Sequence, residues 1–149
     1  MKVKTASDED SAYVKEANNK LLAYHQSFDD FYQPVEFGAD KAEQKKETVT
    51  LIAKETDQAV GFLTGYIMHS PVDRSVSFAY IQAVWVEEAS REQGVAKALV
   101  GAFEAAVQEK GIDRIELSVD IQNQSGKQLW DAFGYEVYQE RRWKRLTWG

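Results

Sequence analysis

Apolar and polar positions change period repeatedly along the chain, and each change marks an expected element. Val3 to Ala6 alternates as a short strand. Ser7 then offers an N-cap, with Asp10 three residues on and acids through the first turn, which suits the positive end of a helix. Val14, Ala17, Leu21, Tyr24 and Phe28 follow at spacings of three and four, one stripe of an amphipathic helix. Asp29 to Lys46 is acidic and aromatic, and reads as a loop around Pro34 followed by a second short helix from about Ala39. Thr48 to Ala53 and Ala59 to Met68 form a hairpin pair around the polar turn Lys54 to Asp57. After a turn at His69 to Ser75, Val76 to Val86 reads as a strand, and Gly94 to Lys110 as the strongest helix, closed by Gly111. Arg114 to Val119 is a strand, Ser125 to Phe133 a short helix closed by Gly134, and Tyr135 to Leu146 a terminal hairpin.

The order β-α-α-β-β-β-α-β-α-β-β predicts an α/β domain, an α+β mixed sheet that is antiparallel at the front with one β-α-β crossover. With 149 residues and no linker-like tract or repeat, 1–149 reads as a single domain.

Composition narrows the chemistry. The absence of cysteine removes disulfides, thiolate nucleophiles and cysteine zinc sites, and two histidines leave little for a metal cluster, so no metal is expected. Eighteen basic against 24 acidic side chains give a net charge of -6, which disfavours nucleic acid as a partner. The N-terminal MKVKTASDED has no apolar core and no 18-residue apolar run follows, so no membrane is expected and a cytoplasmic location is the default.

The stretch carrying chemistry runs from Ala79 to Leu99, where a strand ends near Val86 and a helix opens at Gly94. The first turn of a helix presents N–H groups without intrahelical partners, and with the helix dipole these suit a phosphate. Gly94 and Ala96 would let it approach the backbone. A glycine here equally serves tight packing, so spacing alone leaves both readings open. A second block follows the next strand: Asn123, Gly126, Leu129, Gly134 and Tyr135, with Lys127 and Trp130 between them.

Together these blocks resemble the GCN5-related N-acetyltransferase (GNAT) superfamily. Arg91, Gly94 and Ala96 match its Arg/Gln-x-x-Gly-x-Gly/Ala loop. Asn123, Gly126, Leu129, Gly134 and Tyr135 match its Asn-x-x-Ala/Gly-x-x-Leu-Tyr-x-x-x-Gly-Phe/Tyr block. The resemblance implies a GNAT-like fold and acetyl-CoA as donor. Backbone N–H groups of Arg91, Glu92, Gln93, Gly94, Val95, Ala96 and Lys97 would cradle the pyrophosphate. The main chain around Val84, Trp85 and Val86 would pair with the pantetheine arm, with an N–H near Val86 serving the oxyanion. Asn123 would contact the arm from the other side, and Gly126, Lys127 and Trp130 would line its path.

Motif alignment places the family's base on Tyr80 and Gln82, neither a carboxylate nor an imidazole; both also suit a pocket wall. Glu116, Ser118 and Asp120 alternate on the next strand as substitutes. Trp130 stands where the family has its acid tyrosine, and indole is a donor but no acid, which leaves Tyr135 and Tyr138 as nearby candidates. His25, Asp29, Asp30, Tyr32 and Glu36 form an acidic, aromatic cluster that either holds a cationic acceptor or is a solvated loop. Arg141, Arg142, Lys144 and Arg145 beside Trp143 read as carboxylate or phosphate recognition, or as strand-edge charges against aggregation. The resulting expectation is transfer of an acetyl group to a primary amine on a small molecule or peptide, by direct attack in a ternary complex. The alternatives are a non-catalytic acyl-CoA sensor and a protein N-terminal or lysine acetyltransferase, and a homodimer is compatible with each.

Overall fold

The computed structural model describes residues 1–29, 45–69 and 77–147. The loop and helix expected between Asp30 and Gln44, and the turn around Pro71, lie outside the described residues. Five strands form one sheet in the order β1-β2-β3-β4-β5: β1 Lys2–Thr5, β2 Lys45–Glu55, β3 Gln58–His69, β4 Ser77–Val86 and β5 Ile115–Glu116. The first three junctions are antiparallel and β4 pairs with β5 in parallel, across the helix that connects them. The mixed α/β sheet with one crossover is therefore as the periodicity predicts.

Two helices sandwich the sheet. Helix α1, Ser11–Gln26, follows a 3-10 turn at Asp8–Asp10 and buries Ala17 against Ile52 and Phe62, with Trp85 and Ala83 beside them. Helix α2, Val95–Glu109, buries Val95, Leu99, Val100, Phe103 and Val107 on the other face, against Leu63, Ile67, Ala79 and Ile81. This is the larger core, as the broad apolar stripe of Gly94 to Lys110 requires. The fit is close at Gly65, where a Cβ would stand 2.5 Å from the Phe103 ring and 3.0 Å from the Tyr80 carbonyl. A side chain on β3 at that point would push α2 off the sheet.

Local chemistry fixes the boundaries. The β2–β3 turn tightens to Thr56 and Asp57, both at positive φ (50° and 64°), the backbone twist that matches a two-residue hairpin. Asp10 is buried at 4% exposure and accepts from the Ser7 N–H at 2.9 Å, while Lys4 and Lys54 each lie 3.1 Å from its carboxylate. The backbone donor and the two ammonium groups hold its pKa well below the ordinary carboxylate range.

Two expected elements differ. Strand β5 is only Ile115–Glu116, so the ladder expected to reach Val119 stops after two residue pairs. The terminal hairpin does not form: residues 136–147 are all exposed and make no strand among the described residues. An alternating sequence becomes a strand only when its backbone pairs with another, and residues 136–147 make no such pairing among the described residues. Helix α3, Gln124–Ala132, matches the expected short helix.

Candidate functional site

The site begins where two parallel strands part. Pairing between β4 and β5 covers Ala79 with Ile115 and Tyr80 with Glu116, then ends. Strand β4 continues to Val86, still paired to β3 along its other edge. The β4 backbone from Ile81 to Val86 therefore faces a cleft on the β5 side rather than a neighbouring strand. The register on β3 also shifts here: Gly65 faces Ile81 while Thr64 faces Ala83, which makes Gln82 the extra residue of a bulge. A bulge bends its strand and leaves its extra residue out of the ladder, a common device beside binding sites.

At the far end of β4 the chain turns into α2. A 3-10 turn at Glu88–Ser90 leads to Arg91, and two left-handed residues follow, Glu92 (φ 62°) and Gly94 (φ 82°). A non-glycine at positive φ is costly, about 1–2 kcal/mol, and left-handed residues in a turn are one way a backbone builds an anion-binding concavity. The first helical bond runs from Ala98 N–H to the Gly94 carbonyl, so the N–H groups of Val95, Ala96 and Lys97 precede the ladder. A Cβ on Gly94 would meet nothing within 4 Å, so the glycine answers to its backbone angle and to open space, not to packing. Thus Glu92, Gln93, Gly94, Val95, Ala96 and Lys97 form one turn at the mouth of the cleft.

Arg91 lies across that mouth. Its Nε donates to the Val86 carbonyl at 3.0 Å, and its guanidinium sits 4.9 Å over the Trp85 ring. The Val86 side chain packs with Val84 toward α2, whereas Trp85 faces α1.

On the opposite jaw, Asn123 caps α3: its Oδ1 accepts from the Gly126 N–H at 3.0 Å. The cap folds closely over Gly126: a Cβ there would stand 2.4 Å from the asparagine amide nitrogen, so a side chain at this position requires the asparagine to shift. Lys127 continues the helix through its N–H to the Asn123 carbonyl. Trp130 packs against the α2 core, edge-on to Phe133 and Tyr135 at 6.0 and 5.3 Å. Tyr135 donates to Glu104 at 2.9 Å, and burial together with that carboxylate raises its pKa. Tyr138 donates to Glu116 at 2.5 Å, so both tyrosines considered as the acid have their hydroxyls on carboxylates.

On the α1 side of the sheet, beside the bulge, Tyr80 is buried and donates to Ser118 Oγ at 3.1 Å. Gln82 accepts a short hydrogen bond from Tyr66, and the Lys46 ammonium stands 4.1 Å over the Tyr66 ring. Tyr66 carried no signal in the sequence; only the β3–β4 register brings it to Gln82.

Helix α1 ties the two jaws together, through contacts the sequence did not announce. Toward β4, Glu87 accepts from Lys20 Nζ at 2.7 Å, Trp85 Nε1 at 2.6 Å and Tyr13 Oη at 3.0 Å. Burial opposes its ionisation, but the three donors outweigh that and hold its pKa below the ordinary value. Toward α3, Tyr24 Oη donates to Asn123 Oδ1 at 2.9 Å. The next residue, His25, meets Phe28, just past the end of α1, edge-on at 5.7 Å, and burial lowers the histidine's pKa. Of the acidic cluster predicted around it, Asp30, Tyr32 and Glu36 lie outside the described residues.

The comparisons with known proteins bear on the family and the fold. The acetyltransferase (GNAT) family model matches residues 12–135. No curated protein matches the chain in sequence. Among solved structures, a mutant BH1408 protein from Bacillus halodurans is 17% identical with a TM-score of 0.81, covering 99% of this chain and 100% of that one. The aminoglycoside N-acetyltransferase AAC(6')-Iy in complex with CoA is 18% identical with a TM-score of 0.71, covering 98% and 99%. The aminoglycoside 6'-N-acetyltransferase AAC(6')-IG from Acinetobacter haemolyticus is 17% identical with a TM-score of 0.69 over the whole of both chains. At such identities the structures speak to fold, and the family assignment rests on the matched span, which includes the β4–β5 cleft, the glycine turn and the capped α3: the chain belongs to the GNAT family of acetyltransferases.

Proposed function

We propose that this protein transfers an acetyl group from acetyl-CoA to a primary amine, by direct attack with both substrates bound. The observation that carries the reading is the cleft in which β4 leaves β5 after Tyr80 and Glu116 and runs on to the turn at Gly94. An extended polar arm can add to the β4 edge between Ile81 and Val86 as a strand would. The N–H groups of Val95, Ala96 and Lys97 stand where its diphosphate would end, each charge-assisted bond contributing about 1.5–3 kcal/mol. Arg91 exchanges the Val86 carbonyl for the phosphates, which leaves that carbonyl to the arm. AAC(6')-Iy, of the same fold, has been solved with CoA and with a bisubstrate analogue, CoA-S-monomethyl-acetylneamine.

Bound acetyl-CoA supplies an activated thioester; the chain's residues supply orientation and proton transfer. The residues at the bulge offer hydroxyls and an amide, without a carboxylate or imidazole among Tyr66, Tyr80, Gln82 and Ser118. Freeing the lone pair of a lysine-like amine near neutral pH costs roughly 4–5 kcal/mol, whereas an α-amine costs about 1 kcal/mol. Tyr80 Oη can accept the amine's proton as its own passes to Ser118 Oγ, whose exposed side chain releases one to solvent. The relay suits amines of modest pKa. Trp130, packed on Phe133 and Tyr135, closes the wall on the α3 side and delivers no proton.

The test is an acceptor screen with acetyl-CoA, covering aminoglycosides, small polyamines and peptide N-termini, read by thiol release. The chain has no cysteine, so the thiol signal reports CoA alone. Turnover with an amine and a mass gain of one acetyl group on it are expected. Tight acetyl-CoA binding with no thiol released by any amine would favour the sensor reading instead.

A further inference from the structure

Backbone direction at the end of β4 decides which groups the cleft receives. The Glu87 N–H bonds to the Val60 carbonyl on β3 at 2.8 Å. In an extended chain the N–H and C=O of one residue point to one side, and those of its neighbour to the other. The main chain of Val86 therefore faces away from β3, into the cleft. As the last residue of β4, it offers the final carbonyl that an added arm meets before the glycine turn.

That carbonyl is already engaged. Arg91 Nε donates to it at 3.0 Å, and the guanidinium is held 4.9 Å over the Trp85 ring. The ring is itself fixed, its Nε1 donating to Glu87 Oε2 at 2.6 Å. The arginine side chain thus folds back from the loop and lies over the end of the free strand edge. It is exposed, and no ion pair among the described residues includes it. A bidentate bond to phosphate is stronger than one N–H on a neutral carbonyl, so a diphosphate at the Gly94 turn draws the guanidinium off Val86. An arm without phosphates offers nothing in exchange. To pair with Val86 it must displace Arg91 and leave the cation with the Trp85 face alone.

We infer that Arg91 is a specificity-determining residue for the donor. Its bond to the Val86 carbonyl holds the end of the cleft against acyl thioesters on a pantetheine arm that lacks the diphosphate, and the diphosphate of an acyl-CoA releases it. The inference rests on the donor site proposed above and adds an order to it: the phosphates engage before the arm completes its pairing. It also couples the two halves of the donor, so that a diphosphate alone improves the binding of a bare arm, and the reverse by linkage.

The probe is acetyl-pantetheine, the same thioester arm without phosphates or nucleotide. Titration of the full chain, followed by NMR at the Val86 amide, reads even millimolar affinities. Arg91→Ala is expected to bind acetyl-pantetheine at least about threefold more tightly than the native chain, and acetyl-CoA about tenfold more weakly. The opposite signs separate the inference from two plainer roles. An arginine that only binds phosphate leaves acetyl-pantetheine unchanged, and one that only orders the loop weakens both donors. A second measurement uses the native chain itself: inorganic pyrophosphate is expected to raise its affinity for acetyl-pantetheine about threefold, and to do nothing for Arg91→Ala. Acetyl-pantetheine binding that is unchanged, weaker or undetectable in a folded Arg91→Ala chain would overturn the inference, as would pyrophosphate that fails to help the native one. A native chain that does not bind acetyl-CoA would instead remove the donor site as a whole.

Discussion

Tyr24 Oη donates to Asn123 Oδ1 at 2.9 Å, joining the last turn of α1 to the cap of α3 across 99 positions of sequence. The same asparagine oxygen takes the Gly126 N–H and lies 3.3 Å from Ser125 Oγ. With Glu87 holding Lys20 and Tyr13 on the β4 side, α1 spans the cleft and is fixed to both jaws.

Tyr24→Phe removes the α3 tie while keeping the ring that stacks on Phe28 at 5.4 Å. The expected loss of stability is about 0.5–1.5 kcal/mol, the usual net worth of one hydrogen bond. If α1 sets the separation of the jaws, acetyl-CoA affinity falls as well, by about threefold or ~0.7 kcal/mol. Calorimetry and denaturant unfolding read the two effects separately, and an unchanged affinity would confine Tyr24 to a purely stabilising role.

Glu87 adds to the acid limb of stability, to which Asp10 also contributes. Its folded pKa lies below the ordinary glutamate value of about 4.5 because three donors favour the charged form. A depressed folded pKa means stability that is complete above the unfolded value and is lost as pH falls through the folded one. Glu87→Gln is expected to cost about 1–2 kcal/mol at neutral pH and to flatten the decline of stability below about pH 4.5. Equal acid slopes for native and variant chains would remove Glu87 as a contributor.

Trp130 packs on Phe133 and Tyr135, so it acts as wall and not as acid. Trp130→Phe is expected to leave kcat within a few-fold of the native value. General acid catalysis is typically worth about 10²–10⁴-fold, so a hundredfold gain in kcat for Trp130→Tyr at unchanged acetyl-CoA affinity would show that thiolate protonation limits turnover.

How far the sequence could be read depends on how far apart the partners stand. The glycine turn was legible because Gly94 and the helix it opens are contiguous, and a local period announces both. Asn123 was legible as part of a block, but its cap to Gly126 and its bond to Tyr24 emerged only with the fold. The Tyr66–Gln82 bond depends on a register that shifts at a bulge, which no alternation of residue types encodes. The segment from Tyr135 to Leu146 shows the opposite case. Its composition reads as strand, yet strand formation needs a backbone partner, and alternation alone does not supply one.

The central claim is that the turn at Gly94 holds the phosphates of acetyl-CoA. Gly94→Asn and Gly94→Asp test it as a pair, because both residues tolerate the left-handed backbone better than most and differ chiefly in charge. Titration calorimetry with acetyl-CoA should find the aspartate variant at least about tenfold weaker than the asparagine variant, roughly 1.4 kcal/mol. Equal affinities in two folded variants would contradict the account.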